Sequence, residues 1–264
     1  MLARELLERY SSGERDFRAA NLKGADLSGV NLSGANLCEA NLKAANLHSA
    51  NLSHADLSWA DLREANLTDT DLTQTNLSGA KLNRAELAEA QLKSASLAGA
   101  DLNWAKLPEA QLQQASLQEA NLTDAELDGA NLSQANLDGA NLRRTSLNHA
   151  ELQQVELNNA NLRRVKLNQA ELSQADLRQS DLTEADLMAA NLQEANLSNS
   201  NLRRADLREA DLKAANLNRA NLWSADLREA NLLEADLSEA YLIDADFDDA
   251  NLHRATMPDG SVHD

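Results

Sequence analysis

Apolar residues recur along this chain at a spacing that neither regular element explains. In "GANLCEANLKAANLHSANL", residues 34 to 52, Leu37, Leu42, Leu47 and Leu52 lie five apart, each with Ala two positions earlier. On an α-helix a five-residue step turns about 500°, so the leucines would spiral over every face. On a straight strand an odd step sends successive leucines to opposite sides. The pattern works only if the chain bends once per repeat. Within "ANL" the alternation is strand-like, with Ala35 inward, Asn36 outward and Leu37 inward. Cys38 and Glu39 then turn a corner. A chain that bends every five residues around a filled axis is a solenoid.

The register runs from Phe17 to Met257 through 49 centres, all Leu except Phe17, Phe247 and Met257. Forty of the 48 residues two places before a centre, from 20 to 255, are Ala. The rest are Val30, Thr70, Thr75, Thr145, Val155, Val165, Ser180 and Ser200. All are small or β-branched, as a narrow interior requires. No insertion breaks the phase, which predicts one continuous domain without long loops. Seven glycines (24, 29, 34, 79, 99, 129 and 139) sit two residues after a centre. That is where the third residue of a type II turn needs a positive φ. Glu, Arg or Gln at the same place in other repeats predicts a mixture of turn types. Arg-Arg pairs at 143–144, 163–164 and 203–204, in phase with Lys23, Lys43 and Arg63, are spaced by multiples of 20. These spacings suggest four repeats per coil.

The run "ADLSGVNLSGANL", residues 25 to 37, carries the A(D/N)Lxx motif and strongly resembles pentapeptide-repeat proteins. The resemblance covers about nine-tenths of the chain. It implies an all-β fold, a right-handed quadrilateral β-helix of roughly twelve coils over 16–257, with coils about 4.8 Å apart. Residues 1–15 are expected to form an N-terminal capping helix, with Leu2, Leu6, Leu7 and Tyr10 on one side of 2–10 and Gly13 as the stop. Residues 258–264 form a C-terminal tail, in which Val262 keeps the phase and is expected to close the last coil. Both ends resemble those of cyanobacterial members, a heterocyst-differentiation regulator among them.

Composition narrows the functional classes. Aromatics are 3% of residues, so the core is a ladder of Leu and Ala. No run is long and apolar enough to span a membrane, and "MLARELLERYSSGERDF" is charged too early for a signal peptide. Cys38 is the single cysteine, so there is no disulfide framework. A soluble cytoplasmic protein is expected, with no membrane partner. His48, His54, His149, His253 and His263 are scattered, and none pairs with Cys38 at metal-ligand spacing. Neither a phosphate-binding glycine loop nor a nucleophile elbow is recognisable. The expectation is therefore no catalytic residue, cofactor or metal.

Charge is unevenly shared among the four predicted faces. Outward residues around centres 17, 22, 27 and 32, each continued at steps of 20, carry −7, +4, −11 and −3 of the −18 total. The most acidic face aligns Asp186, Asp206, Asp226 and Asp246, a candidate strip for a basic partner, although Arg208 and Arg228 lie beside it. The basic face holds Arg143, Arg144, Arg163, Arg164, Arg203 and Arg204. These would grip an acidic partner, or form a cross-coil ladder in the column Asp124, Arg144, Arg164, Glu184 and Arg204. A net charge of −18 argues against nucleic-acid binding.

Large apolar residues at outward positions are few, and Trp223, Leu233, Tyr241 and Ile243 fall close together. Trp223 and Ile243 share a predicted column, Tyr241 the same face, and Leu233 the next. They mark a partner site or a homodimer contact through the C-terminal end, unless the tail folds over them. The reading is a non-catalytic rigid scaffold for protein–protein interaction, with a regulatory role implied by the resemblance to cyanobacterial members; its protein partner is unidentified. The alternative implied by the family is a DNA mimic that modulates gyrase or another topoisomerase and protects it from quinolones. The missing loops and the basic face weigh against that alternative.

Overall fold

A computed structural model of the chain describes residues 3–264 and divides it into two compact units, Met1–Asn131 and Leu132–Asp264. Within each unit the residue before a centre forms a parallel bridge with its counterpart 20 residues on: Asn31 with Asn51 in the first, Asp206 with Asp226 in the second. One coil is therefore four repeats. Each side of the coil is too short for a continuous strand, so bridges stand singly.

The repeat Leu32–Asn36 shows why five residues suffice. Leu32 N–H donates to the Asn51 carbonyl (2.8 Å), Gly34 N–H to the Ser53 carbonyl (2.9 Å) and Asn36 N–H to the Arg15 carbonyl (2.7 Å). Ala35 N–H closes the turn on the Leu32 carbonyl (3.0 Å). The fifth donor, Ser33 N–H, is met by the side chain of Asn31, whose Oδ1 lies 3.0 Å away. Asp or Asn before the centre is thus an acceptor for a corner amide that no carbonyl reaches, which the sequence pattern alone left unexplained. Pro108 and Pro258 fit the same rule. Each occupies the first corner position, has no N–H to satisfy, and is preceded by a repeat whose acceptor site holds Lys106 or Thr256 instead.

Corners are more uniform than the sequence predicts. The second corner residue has a positive φ at all 48 corners from Ala19 to Arg254, and 41 of these residues are not glycine. The expected mixture of turn types is absent; Glu, Gln and Arg accept the left-handed conformation because the turn bond and two inter-coil bonds hold the corner on both sides. None of the 48 is β-branched, the class for which that conformation is least accessible.

Leu centres from Leu22 to Leu237 are fully buried, with the Ala column packed beside them. Each such leucine contributes on the order of 2 kcal/mol. Thr70 and Thr75 in the Ala column donate their hydroxyls to the Leu47 and Leu52 carbonyls, at 2.8 and 2.7 Å. Ser180 donates to the Leu177 carbonyl at 2.6 Å, whereas Ser200 Oγ is buried without a partner.

Helix α1 spans Ala3–Ser11, so Leu2 lies outside the described residues. Leu6 is completely buried, and Tyr10 donates its hydroxyl to the Ser33 carbonyl at 2.8 Å. The helix stops at Gly13, whose φ of 99° places it in the left-handed region. Glu14 N–H returns to the Arg9 carbonyl and Gly13 N–H to the Tyr10 carbonyl, the paired bonds of a Schellman motif. The tail departs from expectation. Val262 is exposed and does not continue the coil; it forms an antiparallel bridge with Thr256, and His263 N–H donates to the Ala255 carbonyl at 2.8 Å. Pro258 and Gly260 reverse the chain, so phase alone could not carry Val262 inward.

Candidate interaction face

The +4 excess of the basic face is concentrated in the second unit. There, six arginines (143, 144, 163, 164, 203 and 204) face only Asp181, Glu184 and Asp244. All six are exposed. The two corner columns behave differently. Glu184 takes Arg164 Nε at 2.6 Å and Arg204 Nη1 at 3.9 Å, part of the predicted cross-coil ladder. Arg164 holds the Glu184 carboxyl below its ordinary pKa, chiefly through that hydrogen bond. In the other column, Arg163 makes one long contact to Asp181 at 3.4 Å. Arg143 and Arg203 have no carboxylate partner among the described residues.

Arg203 instead stacks over the indole of Trp223, one coil on, with its guanidinium carbon 4.6 Å from the ring; Arg204 lies at 5.0 Å. The next coil places Tyr241 and Ile243 beside them, 63% and 64% exposed, so the tail does not cover the cluster. Arg203, Asn221, Trp223, Tyr241 and Ile243 line a groove of about 290 Å³. Asn221, missed from the sequence, enters because it bridges Tyr241. Leu233 is half-buried on the adjacent face and does not line the groove.

The acidic column forms as predicted, since Asp186, Asp206, Asp226 and Asp246 bridge in succession. Arginine breaks its charge. Arg208 reaches Asp206 at 2.5 Å and Asp226 at 3.7 Å; Arg228 reaches Asp226 at 2.6 Å and Asp246 at 3.7 Å. The hydrogen bond from Arg228 holds the Asp226 carboxyl below its ordinary pKa. Asp186 accepts from Asn168 Nδ2 at 2.7 Å.

Cys38 is half-buried beside Asp16, Arg18 and Glu39 in an open depression. Among the described residues, no group of three His, Cys, Asp or Glu side chains could hold a metal ion, and no helix is long and apolar enough to cross a membrane.

Coils of four five-residue sides, joined within each unit by parallel bridges and turning their polar side chains outward, define a β-helical repeat protein. The chain belongs to the pentapeptide-repeat family: the profile described as Pentapeptide repeats matches in eight copies between residues 16 and 257. HetL, a pentapeptide repeat protein involved in heterocyst differentiation regulation from the cyanobacterium Nostoc sp. strain PCC 7120, is 36% identical. That match covers 100% of both chains, with a TM-score of 0.39. A trypsin-treated form of QnrB1, a plasmid-mediated fluoroquinolone resistance protein, is 19% identical over 67% of this chain and 88% of its own, with a TM-score of 0.56. The family and this likeness in fold assign the coils to the right-handed β-helix class. No curated protein matches the chain.

Proposed function

We propose that this protein is a non-catalytic scaffold that captures another protein on the Arg–Trp face of residues 141–244, in a regulatory role. The observation that carries this reading is the groove at Trp223, Tyr241 and Ile243. Three large apolar side chains stand together on this face of residues 141–244, whose other outward residues are all polar or charged, and aromatic anchors supply a disproportionate share of interface energy. The 36% identity to HetL over the full length supports a regulatory role. We also propose that α1 caps the first coil, through Leu6 and Tyr10, and that residues 16–257 act as one scaffold.

A DNA-mimicking action on gyrase would need a continuous acidic face. Arg208 and Arg228 interrupt the best acidic column, and the likeness to QnrB1 extends to fold alone.

The test is affinity capture with the parent and with the triple variant Trp223→Ser, Tyr241→Asn, Ile243→Ser. A specific protein retained by the parent and lost by a variant of unchanged melting temperature supports the reading. Equal capture by both forms overturns the assignment to this face. Sedimentation of the two forms separates a second copy of the chain, docked near the C-terminal end, from a different partner.

A further inference from the structure

Taking the interaction face as read above, we infer that its occupant is an extended acidic peptide segment, with one aromatic or aliphatic side chain in the groove and carboxylates along the Arg143–Arg163–Arg203 column.

The column supplies its own ruler. Coils lie about 4.8 Å apart, so measured along the axis from Trp223, Arg203 stands about 5 Å away, Arg163 about 14 Å and Arg143 about 19 Å. An extended peptide rises about 3.3 Å per residue, and every second side chain points to the same side. With its anchor in the groove, residues two, four and six places away fall at about 7, 13 and 20 Å. These three positions match the three arginines. Position 183 between them is Thr, so this column offers no cation where the peptide has no carboxylate to meet it.

The charges are also disposed for this ligand. Glu184 engages Arg164 and Arg204 and leaves the neighbouring column nearly free. Arg143 and Arg203 have no carboxylate partner among the described residues, and Arg163 has one contact at 3.4 Å. Stacking on Trp223 fixes the Arg203 guanidinium beside the groove and leaves its edge N–H groups available for a carboxylate. The protein as a whole is strongly acidic, yet screening shortens that repulsion to about 8 Å at physiological salt, so the local arginines decide what docks. The chain's own tail is engaged elsewhere, through the bonds of His263 to Arg254 and Ala255.

The experiment is a fluorescence-anisotropy titration of the full chain with two labelled ten-residue peptides. Each has one Trp and Glu at the second, fourth and sixth positions from it, one running N-to-C and the other reversed. Controls are the same peptides with Gln for Glu, and a ten-nucleotide oligothymidylate. At least one Glu peptide should bind tenfold or more tightly than its Gln counterpart at 50 mM salt and lose that advantage at 500 mM. The double variant Arg143→Glu, Arg203→Glu, with its melting temperature unchanged, should weaken the Glu peptide at least tenfold. Equal binding of Glu and Gln peptides, indifference to the double variant, tighter binding of the oligonucleotide, or no binding of either Glu peptide at 1 mM each overturns the inference. Failure here with the captured partner still lost in the triple groove variant leaves the scaffold reading standing. Loss of both means that the face itself was misassigned.

Discussion

The indole of Trp59 lies directly on Gly79, its counterpart one coil further on. A Cβ added to Gly79 would stand 2.6 Å from ring carbons Cε3 and Cζ3, and Gly79 has a φ of 66°. Two independent constraints therefore meet at one residue, and they can be separated. Gly99, at the same corner position one coil further, has a φ of 64° and open space around it. Gly99→Ala should cost about 1 kcal/mol from the left-handed backbone alone. Gly79→Ala should cost more, and the excess should vanish in a Trp59→Ala background. Chemical denaturation of the four variants measures this; equal losses at both glycines would show that the indole moves aside freely.

The uniform left-handed corner makes side-chain branching decisive. Gln134, with a φ of 60°, tolerates Asn or Gly at that backbone setting but not a β-branched residue. Gln134→Val should destabilise by about 1–2 kcal/mol relative to Gln134→Asn, although the site is exposed and the change is small. Thermal melts within a few tenths of a degree of each other would contradict the left-handed conformation there.

The side-chain acceptor of the corner amide is testable by removing its need. Asn51 Oδ1 accepts Ser53 N–H at 2.9 Å. Asn51→Ala should cost about 1 kcal/mol, because the donor loses its partner. In the double variant Asn51→Ala, Ser53→Pro, that donor no longer exists, and proline suits the first corner position, as Pro108 shows. The double variant should therefore melt above Asn51→Ala. If it melts below, the amide was satisfied by water in the single variant.

Ion pairing on the acidic column sets a pH dependence of known sign. Hydrogen bonding from Arg228 depresses the Asp226 carboxyl in the folded state, and Arg63 does the same for Asp61. A depressed carboxyl contributes stability that is fully present above its unfolded pKa of about 3.9 and is lost as pH falls through the lower folded value. Carbon-13 NMR of the Asp226 carboxyl should give a midpoint below about 3.9 in the parent, rising towards it in Arg228→Gln. An unchanged midpoint would mean that the pair does not persist in solution.

The sequence by itself determined most of the fold. A strict period of five can bury its leucines only by turning a corner every repeat, and the Arg pairs at multiples of 20 pointed to a coil of four sides, which the bridges between residues 20 apart show. The columns of Asp186, Asp206, Asp226 and Asp246 and of Trp223 and Ile243 follow from that arithmetic, because i and i + 20 are neighbours. What phase cannot carry is which way a side chain leans within its column. Arg203 could have reached for a carboxylate; packing turned it onto Trp223, while Glu184 took Arg164 and Arg204. Phase also could not show that Asp and Asn before each centre serve a corner amide, since that bond exists only once the turn has closed. Nor could it foresee the tail, where Pro258 and Gly260 reverse the chain and turn Val262 out to solvent. Periodic burial is written locally, residue by residue, but the partner that each outward side chain chooses depends on geometry assembled from residues 20 positions apart.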